Sequence, residues 1–275
     1  MKCPSNKKRF RFIICKLPKL KSQIYPGATS YYADKDTNEW GPPENYLITI
    51  YSLQKSFFFF CNDQKPGETK SHGNRAQAKD VTFFGKTSGF WLIHSVTRFP
   101  SNAKYSYPKN GEVYGQSFLC VTMKTESIGT FAEAMKYIDP AVYQMNLPKN
   151  FSDRFLFLKE LKILKKKNNP NSSLIQTFSS IGSLKFYDFL KTKKYDGDIV
   201  INVRELKIGG SKFGNNKNHS KCAVSQKETK PLVCIADINR QESQKKRAGG
   251  ALCFENLKIW KLFEKSILNV EDCDA

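Results

Sequence analysis

Apolar and polar positions in the first half of the chain follow the pattern of β-structure. Phe10-Arg11-Phe12-Ile13-Ile14-Cys15 predicts a strand ended by Lys16-Leu17-Pro18, and residues 47–53 form a second β-rich run. Phe57-Phe58-Phe59-Phe60-Cys61 predicts a buried strand that stops at Asn62-Asp63-Gln64-Lys65-Pro66-Gly67. Phe90-Trp91-Leu92-Ile93-His94 and Gly115-Gln116-Ser117-Phe118-Leu119-Cys120-Val121 predict two more. The spacing then changes, predicting a helix over 128–138 stopped by Pro140. A second, strongly basic helix is expected from 153 to about 167, ahead of Asn168-Asn169-Pro170-Asn171.

The second half reads as a strand at 174–178, a helix at 183–191 and a strand at 199–203. A loop over 209–218, rich in Gly, Asn and Lys, delivers His219. A strand at 231–237 and a helix at 257–267 close the chain. This mixture predicts an α+β (mixed α/β) fold in two halves, 1–150 and 151–275, forming one compact catalytic domain. Each half places a His-Ser pair near a strand, a coarse echo without a strict period.

Length and composition bound what such a chain can be. With 275 residues, 40% apolar and 13% aromatic, it can bury a full core and does not have the make-up of a disordered chain. Its 45 Lys and Arg against 25 Asp and Glu give a formal charge of +20. That balance does not select a fold, but it favours a polyanionic partner, DNA first, because neutralising phosphates releases counterions. No apolar run approaches the ~20 residues of a membrane span.

Only three histidines occur, and two share a context: His94 in Ile93-His94-Ser95-Val96 and His219 in Asn218-His219-Ser220-Lys221. Imidazole can give and take a proton near neutrality, so a pair on a cationic surface suits phosphodiester chemistry without a metal. Alone, His94 would pass for a core histidine and His219 for a surface residue. His72, in Ser71-His72-Gly73, reads as a solvated loop residue. The lysine run 159–167 reads first as a solvated face.

The eight cysteines are scattered, with no C-x-x-C, which argues for disulfides in an oxidising compartment over a zinc site. Sequons at Asn150, Asn171 and Asn218 point weakly the same way. The opening Met1-Lys2-Cys3 lacks the apolar stretch of a signal peptide, so export would rely on a signal outside this sequence.

With these residues in view the chain resembles the deoxyribonuclease II family, acid, cation-independent DNases. The resemblance is carried by Ile14-Cys15-Lys16-Leu17-Pro18, Asn62-Asp63-Gln64, Gly89-Phe90-Trp91-Leu92-Ile93-His94-Ser95-Val96 and Arg98-Phe99-Pro100. It continues through Tyr114-Gly115-Gln116-Ser117-Phe118, His219-Ser220-Lys221, Cys234-Ile235-Ala236-Asp237-Ile238-Asn239 and Arg247-Ala248-Gly249-Gly250-Ala251-Leu252-Cys253. These matches run nearly end to end in the family's order.

The resemblance implies a phospholipase-D-like pseudo-dimer of two α/β halves sharing one active site. It makes His94, His219 and Lys221 catalytic, with Gln116, Ser117 and Asn239 binding substrate and no cofactor or metal. One neutral ring would attack phosphorus and one protonated ring would serve the leaving oxygen, the order left open, giving 3′-phosphate ends. It further implies disulfides Cys3–Cys120 and Cys234–Cys253, a possible homodimer, and a secreted or lysosomal setting. Cys222 would substitute as partner for Cys273, while Cys15 and Cys61 are either free or bridge neighbouring strands. The chain departs from the family at Asn218 and Cys222, which flank the second motif, and in the shortened stretch between Leu190 and Gly209. A catalytically weakened, secreted DNA-binding relative is therefore the alternative.

Overall fold

The computed structural model describes residues 11–45, 56–101, 106–164, 173–192, 201–239 and 246–271. Strands β1 (Arg11–Lys16), β2 (Thr29–Ala33), β3 (Glu44–Asn45), β4 (Phe57–Asn62), β5 (Lys79–Phe84), β6 (Ser88–His94), β7 (Gln116–Lys124) and β8 (Val142–Asn146) make one sheet. Its order is β3-β2-β1-β7-β6-β5-β4-β8, with antiparallel pairing between neighbours. β9 (Ser173–Ser179), β10 (Lys185–Lys191), β13 (Cys222–Val224), β14 (Leu232–Ala236) and β15 (Gly249–Glu255) make a second sheet, ordered β13-β14-β15-β10-β9. β11 (Val203–Ile208), β12 (Ser211–Gly214) and β16 (Ile267–Val270) form a third. The helices are α1 (Lys109–Val113), α2 (Ile128–Ile138), α3 (Lys149–Arg154) and α4 (Leu257–Lys265). Antiparallel sheets with few helices among the described residues make this an α+β fold.

Period-two alternation explains how the large sheet is used on both sides. Phe12 and Ile14 of β1, Phe58 and Phe60 of β4, and Phe90 and Leu92 of β6 bury one face. Ile13 and Cys15, Phe57 and Phe59, and Trp91 and Ile93 bury the other. The second face is covered by α2, whose apolar residues Ile128, Phe131, Met135 and Ile138 recur on one side of the helix. Phe131 meets Trp91 edge-on at 5.3 Å, and Trp91 stacks on Phe178 of β9 at 5.9 Å, so the large and five-stranded sheets share one core. Gly89 is required in β6: a Cβ there would lie 2.2 Å from the Phe83 carbonyl oxygen.

The strands expected around Phe12, Phe59, Ile93, Phe118 and Cys234 and the helix at 128–138 all form. Residues 183–191 correct the expectation of a helix: they form strand β10, with Phe186, Asp188 and Leu190 buried on one face. The single helix expected from 153 to about 167 is instead α3 followed by 3-10 turns over Leu156–Ile163. Pro148 starts α3 early, and Phe155, at φ −130°, breaks it. The loop at 209–218 contains β12, paired with β11 through a tight turn at Gly209 and Gly210, both at positive φ. The strand expected at 199–203 begins only at Val203, and 193–200 lie outside the described residues, as do 47–53.

Cys234 and Cys253 face each other on β14 and β15 and form the expected disulfide. Cys3 and Cys273 lie outside the described residues. Cys15 and Cys61 are buried thiols and do not bridge strands.

Candidate active site

The start of β7 is where the two ends of the chain's chemistry meet. His94 ends β6 directly opposite Phe118 of β7. From the second half, residues 217–219 dock beside β7: Gly115 N–H donates to Lys217 O (2.8 Å), and His219 N–H donates to Gly115 O (2.9 Å). Gly115 permits this approach, since a Cβ would lie 2.6 Å from Asn218 Oδ1. That oxygen accepts from Ser220 N–H (3.1 Å), so the Asn218 side chain shapes the turn that presents His219.

His94 is 1% exposed, with its ring against Phe99 and Phe118. Its Nδ1 accepts from Val96 N–H (3.2 Å), which puts the proton of the neutral ring on Nε2. Nε2 is buried and has no hydrogen-bond partner among the described residues. Burial first, then Lys79 and Lys221, push its pKa down to about 3. His219 is half-buried and lies flat on the ring of Tyr114, centroids 4.0 Å apart and planes 13° from parallel. Burial also lowers its pKa, helped by Lys221, Lys79 and Lys16. Both rings therefore feel the same two lysines.

Serine after histidine has a visible purpose in the first half. Ser95 Oγ donates to Gln116 Oε1 (2.5 Å) and accepts from Ser117 N–H (3.0 Å), locking β6 to the head of β7. Gln116 Nε2 is left buried and unpartnered among the described residues. Ser117 faces the opposite side of the sheet, paired with Cys15. The residue Cys222 sits on an exposed edge strand, yet its thiol is enclosed near Ser117, and burial pushes it up to about 12.

Lys221 Nζ donates to His219 O at 3.5 Å, a long contact. The residue keeps some exposure, but its ammonium is enclosed. That burial, with Lys79 nearby and against Asp237 and Asp63, lowers its pKa to about 7. Asn239 is placed less directly. Its N–H donates to Gln77 Oε1 (3.4 Å), and no hydrogen bond among the described residues joins its carboxamide to either histidine. His72 is half-exposed and paired with Glu68 at 2.6 Å, its side chain engaging neither catalytic candidate, while its N–H donates to Asp63 O (2.7 Å).

The structure adds residues that sequence reading did not single out. Lys79 on β5 and Asp63 form a 2.6 Å ion pair, both side chains 3% exposed, and Arg247 Nη2 also reaches Asp63 (3.0 Å). Asp63 is held ionised, below the usual carboxylate range, by these cations against the cost of burial. Lys16, on β1 opposite Gln116, donates to the carbonyls of Gly27 (3.2 Å), Glu112 (2.8 Å) and Gly111, anchoring α1 just before Tyr114. Burial brings its pKa down to about 7. The signal for Lys79 was a charged pair, Lys79-Asp80, heading the apolar run Val81-Thr82-Phe83-Phe84.

Such an array of imidazoles and enclosed ammonium groups is built to take an anion and move protons around it. The deoxyribonuclease II family model matches residues 11–200 and 198–273. Cell-death-related nuclease 7 of Caenorhabditis elegans is 32% identical over 96% of this chain and 85% of its own length. Plancitoxin-1 of Acanthaster planci is 32% identical over 77% of this chain and 70% of its own. Human deoxyribonuclease-2-beta is 25% identical over 95% and 88%. Matched along nearly its whole length, this chain belongs to the deoxyribonuclease II family.

Proposed function

We propose that the protein is a DNA endonuclease that cleaves phosphodiesters through His94 and His219 without a metal and leaves 3′-phosphate ends. The observation that carries this reading is the docking of His219 on Gly115 at the head of the strand that flanks His94. In the reaction, a neutral imidazole nitrogen forms a bond to phosphorus while the bond to the 5′ oxygen breaks. That oxygen takes a proton from the second, charged ring, and water then opens the P–N bond to release the 3′-phosphate.

The two environments suggest the division of labour. His94, enclosed and surrounded by lysines, stays neutral far into the acid range and suits attack. For that, its proton must move to Nδ1 and the Val96 N–H contact must open. His219, half-exposed and stacked on Tyr114, is the ring that charges on acidification. Lys221 and the free N–H of Gln116 would hold the non-bridging oxygens. Ser117 and Asn239 remain proposed binding residues through their neighbours, Ser95 and Gln77.

An anion in this cluster favours the protonated forms of both rings, whose pKa values are lowered without it. Substrate binding should therefore take up protons and tighten as pH falls. We further propose that residues 1–150 and 151–275 act as the two halves of a phospholipase-D-like pseudo-dimer. The Cys234–Cys253 disulfide supports a secreted or lysosomal setting.

One observation favours a second reading, a weakened DNA-binding relative: His94 is almost fully covered, so DNA reaches it only if the surrounding loops part. Plasmid nicking in excess EDTA from about pH 4 to 8 separates the two. The nuclease cuts throughout the acid part of that range and leaves 3′-phosphates; the alternative retards DNA without nicking it. Activity restored only by added magnesium or calcium would overturn the metal-free mechanism.

A further inference from the structure

The two histidine motifs are not chemically equal in the sequence. His219-Ser220-Lys221 carries a lysine two residues after its histidine, whereas His94-Ser95-Val96 carries a valine there, fully buried in the apolar core. Strand register supplies what the motif lacks. Asp80 pairs with Ile93, and Asn62 pairs with Lys79, so Lys79 lies directly across from His94 on the same face of the sheet. Direct cross-strand neighbours have Cβ atoms about 5 Å apart.

Charge counting gives Lys79 more than a structural task. A lysine is almost never buried unless it is matched, and Lys79 is matched only in part. Asp63 is shared between Lys79 and Arg247, and the enclosed ammonium of Lys221 lies close enough to depress the same imidazoles. Two cations, Lys79 from the first half and Arg247 from the second, thus converge on the carboxylate of Asp63, a cluster that an anionic ligand would complete. Facing it are two buried nitrogens with no partner among the described residues, His94 Nε2 and Gln116 Nε2, on that same face.

We propose that Lys79 grips the scissile phosphate beside His94, as the first half's counterpart to Lys221, a role that rests on the nuclease reading above. Its ammonium donates a charge-assisted hydrogen bond to a non-bridging oxygen and keeps its proton throughout the reaction. Asp63, shared with Arg247 from the second half, offsets part of the Lys79 charge until an anion binds.

The test uses the full chain, inorganic phosphate and a short DNA duplex as probes, and the variants Lys79→Met, Lys79→Arg and Asp63→Asn. Removing one such electrostatic contact is expected to slow single-turnover cleavage by about 10²–10³-fold. Lys79→Met should also weaken phosphate binding by about tenfold or more, and raise the pH at which the histidines titrate, since a positive neighbour is gone. Lys79→Arg should recover much of the phosphate binding. Asp63→Asn, which leaves Lys79 uncompensated, should bind phosphate more tightly, and this readout decides the matter if Lys79→Met fails to fold. A folded Lys79→Met protein with wild-type phosphate affinity and pH profile would sink the proposal, as would unchanged or weaker phosphate binding by Asp63→Asn. If the wild type binds phosphate through Lys79 yet cuts no DNA, the nuclease reading falls and the anion site stands.

Discussion

At the scale of single residues, the site is a balance between one enclosed imidazole and one that reaches solvent. In the proposed mechanism the two rings serve one phosphorus, so their losses should not add. His94→Ala and His219→Ala are each expected to abolish cutting, with the double variant little worse, while DNA retardation survives on the many lysines. His72→Ala, which removes only an exposed contact with Glu68, should leave the rate unchanged. Equal damage from His72→Ala and His219→Ala, measured by initial nicking rates, would place the site elsewhere. His94 and His219 stood out in the sequence because histidine is rare and both precede serine. Lys79 did not, since one lysine among 45 Lys and Arg residues is marked only by its place at the head of an apolar run.

At the scale of elements, β10 shows where pattern reading went astray. Lys185-Phe186-Tyr187-Asp188-Phe189-Leu190-Lys191 has two apolar residues, Phe189 and Leu190, in succession, a spacing a helix also accepts. Pairing with β9 and β15 settles it as a strand, and the same pairing buries Asp188 beside Gln176, whose Nε2 donates to Oδ2 (2.8 Å). Burial raises the Asp188 pKa to about 7, above the unfolded value of roughly 4. Between those values the folded state binds more protons than the unfolded one, so this group's contribution to stability is complete below the unfolded value and is lost as pH rises through the folded one. From pH ~5 to above 7 the loss from Asp188 is roughly 2 kcal/mol. Asp188→Asn keeps the amide contact and should remove that part of the pH dependence in urea unfolding. An unaltered profile would show that Asp188 is already ionised in the fold.

On the scale of the whole molecule, the +20 charge is the property to test. Each phosphate neutralised by Lys or Arg contributes a slope of about −0.9 in log K against log salt, so a footprint of five or more contacts weakens binding by orders of magnitude toward physiological salt. Binding of a short duplex to His219→Ala, titrated at several salt concentrations and two pH values, should show this slope and tighter binding at the lower pH. A flat response would mean that the charge serves solubility and that DNA is not the ligand.

The sequence by itself determined the β-rich first half, helix α2 and the two histidine motifs, each written in local alternation, helical spacing or a short run of residue types; the Cys234–Cys253 pair followed from the family resemblance those motifs carry. Only the tertiary structure decided that Lys79 stands opposite His94, that Asp63 links Lys79 to Arg247, and that Tyr114 lies on His219. Those contacts depend on strand register and on the docking of residues 217–219 against Gly115. Register is set by the packing of both faces of a sheet at once, and a stretch of sequence records only its own side of that choice.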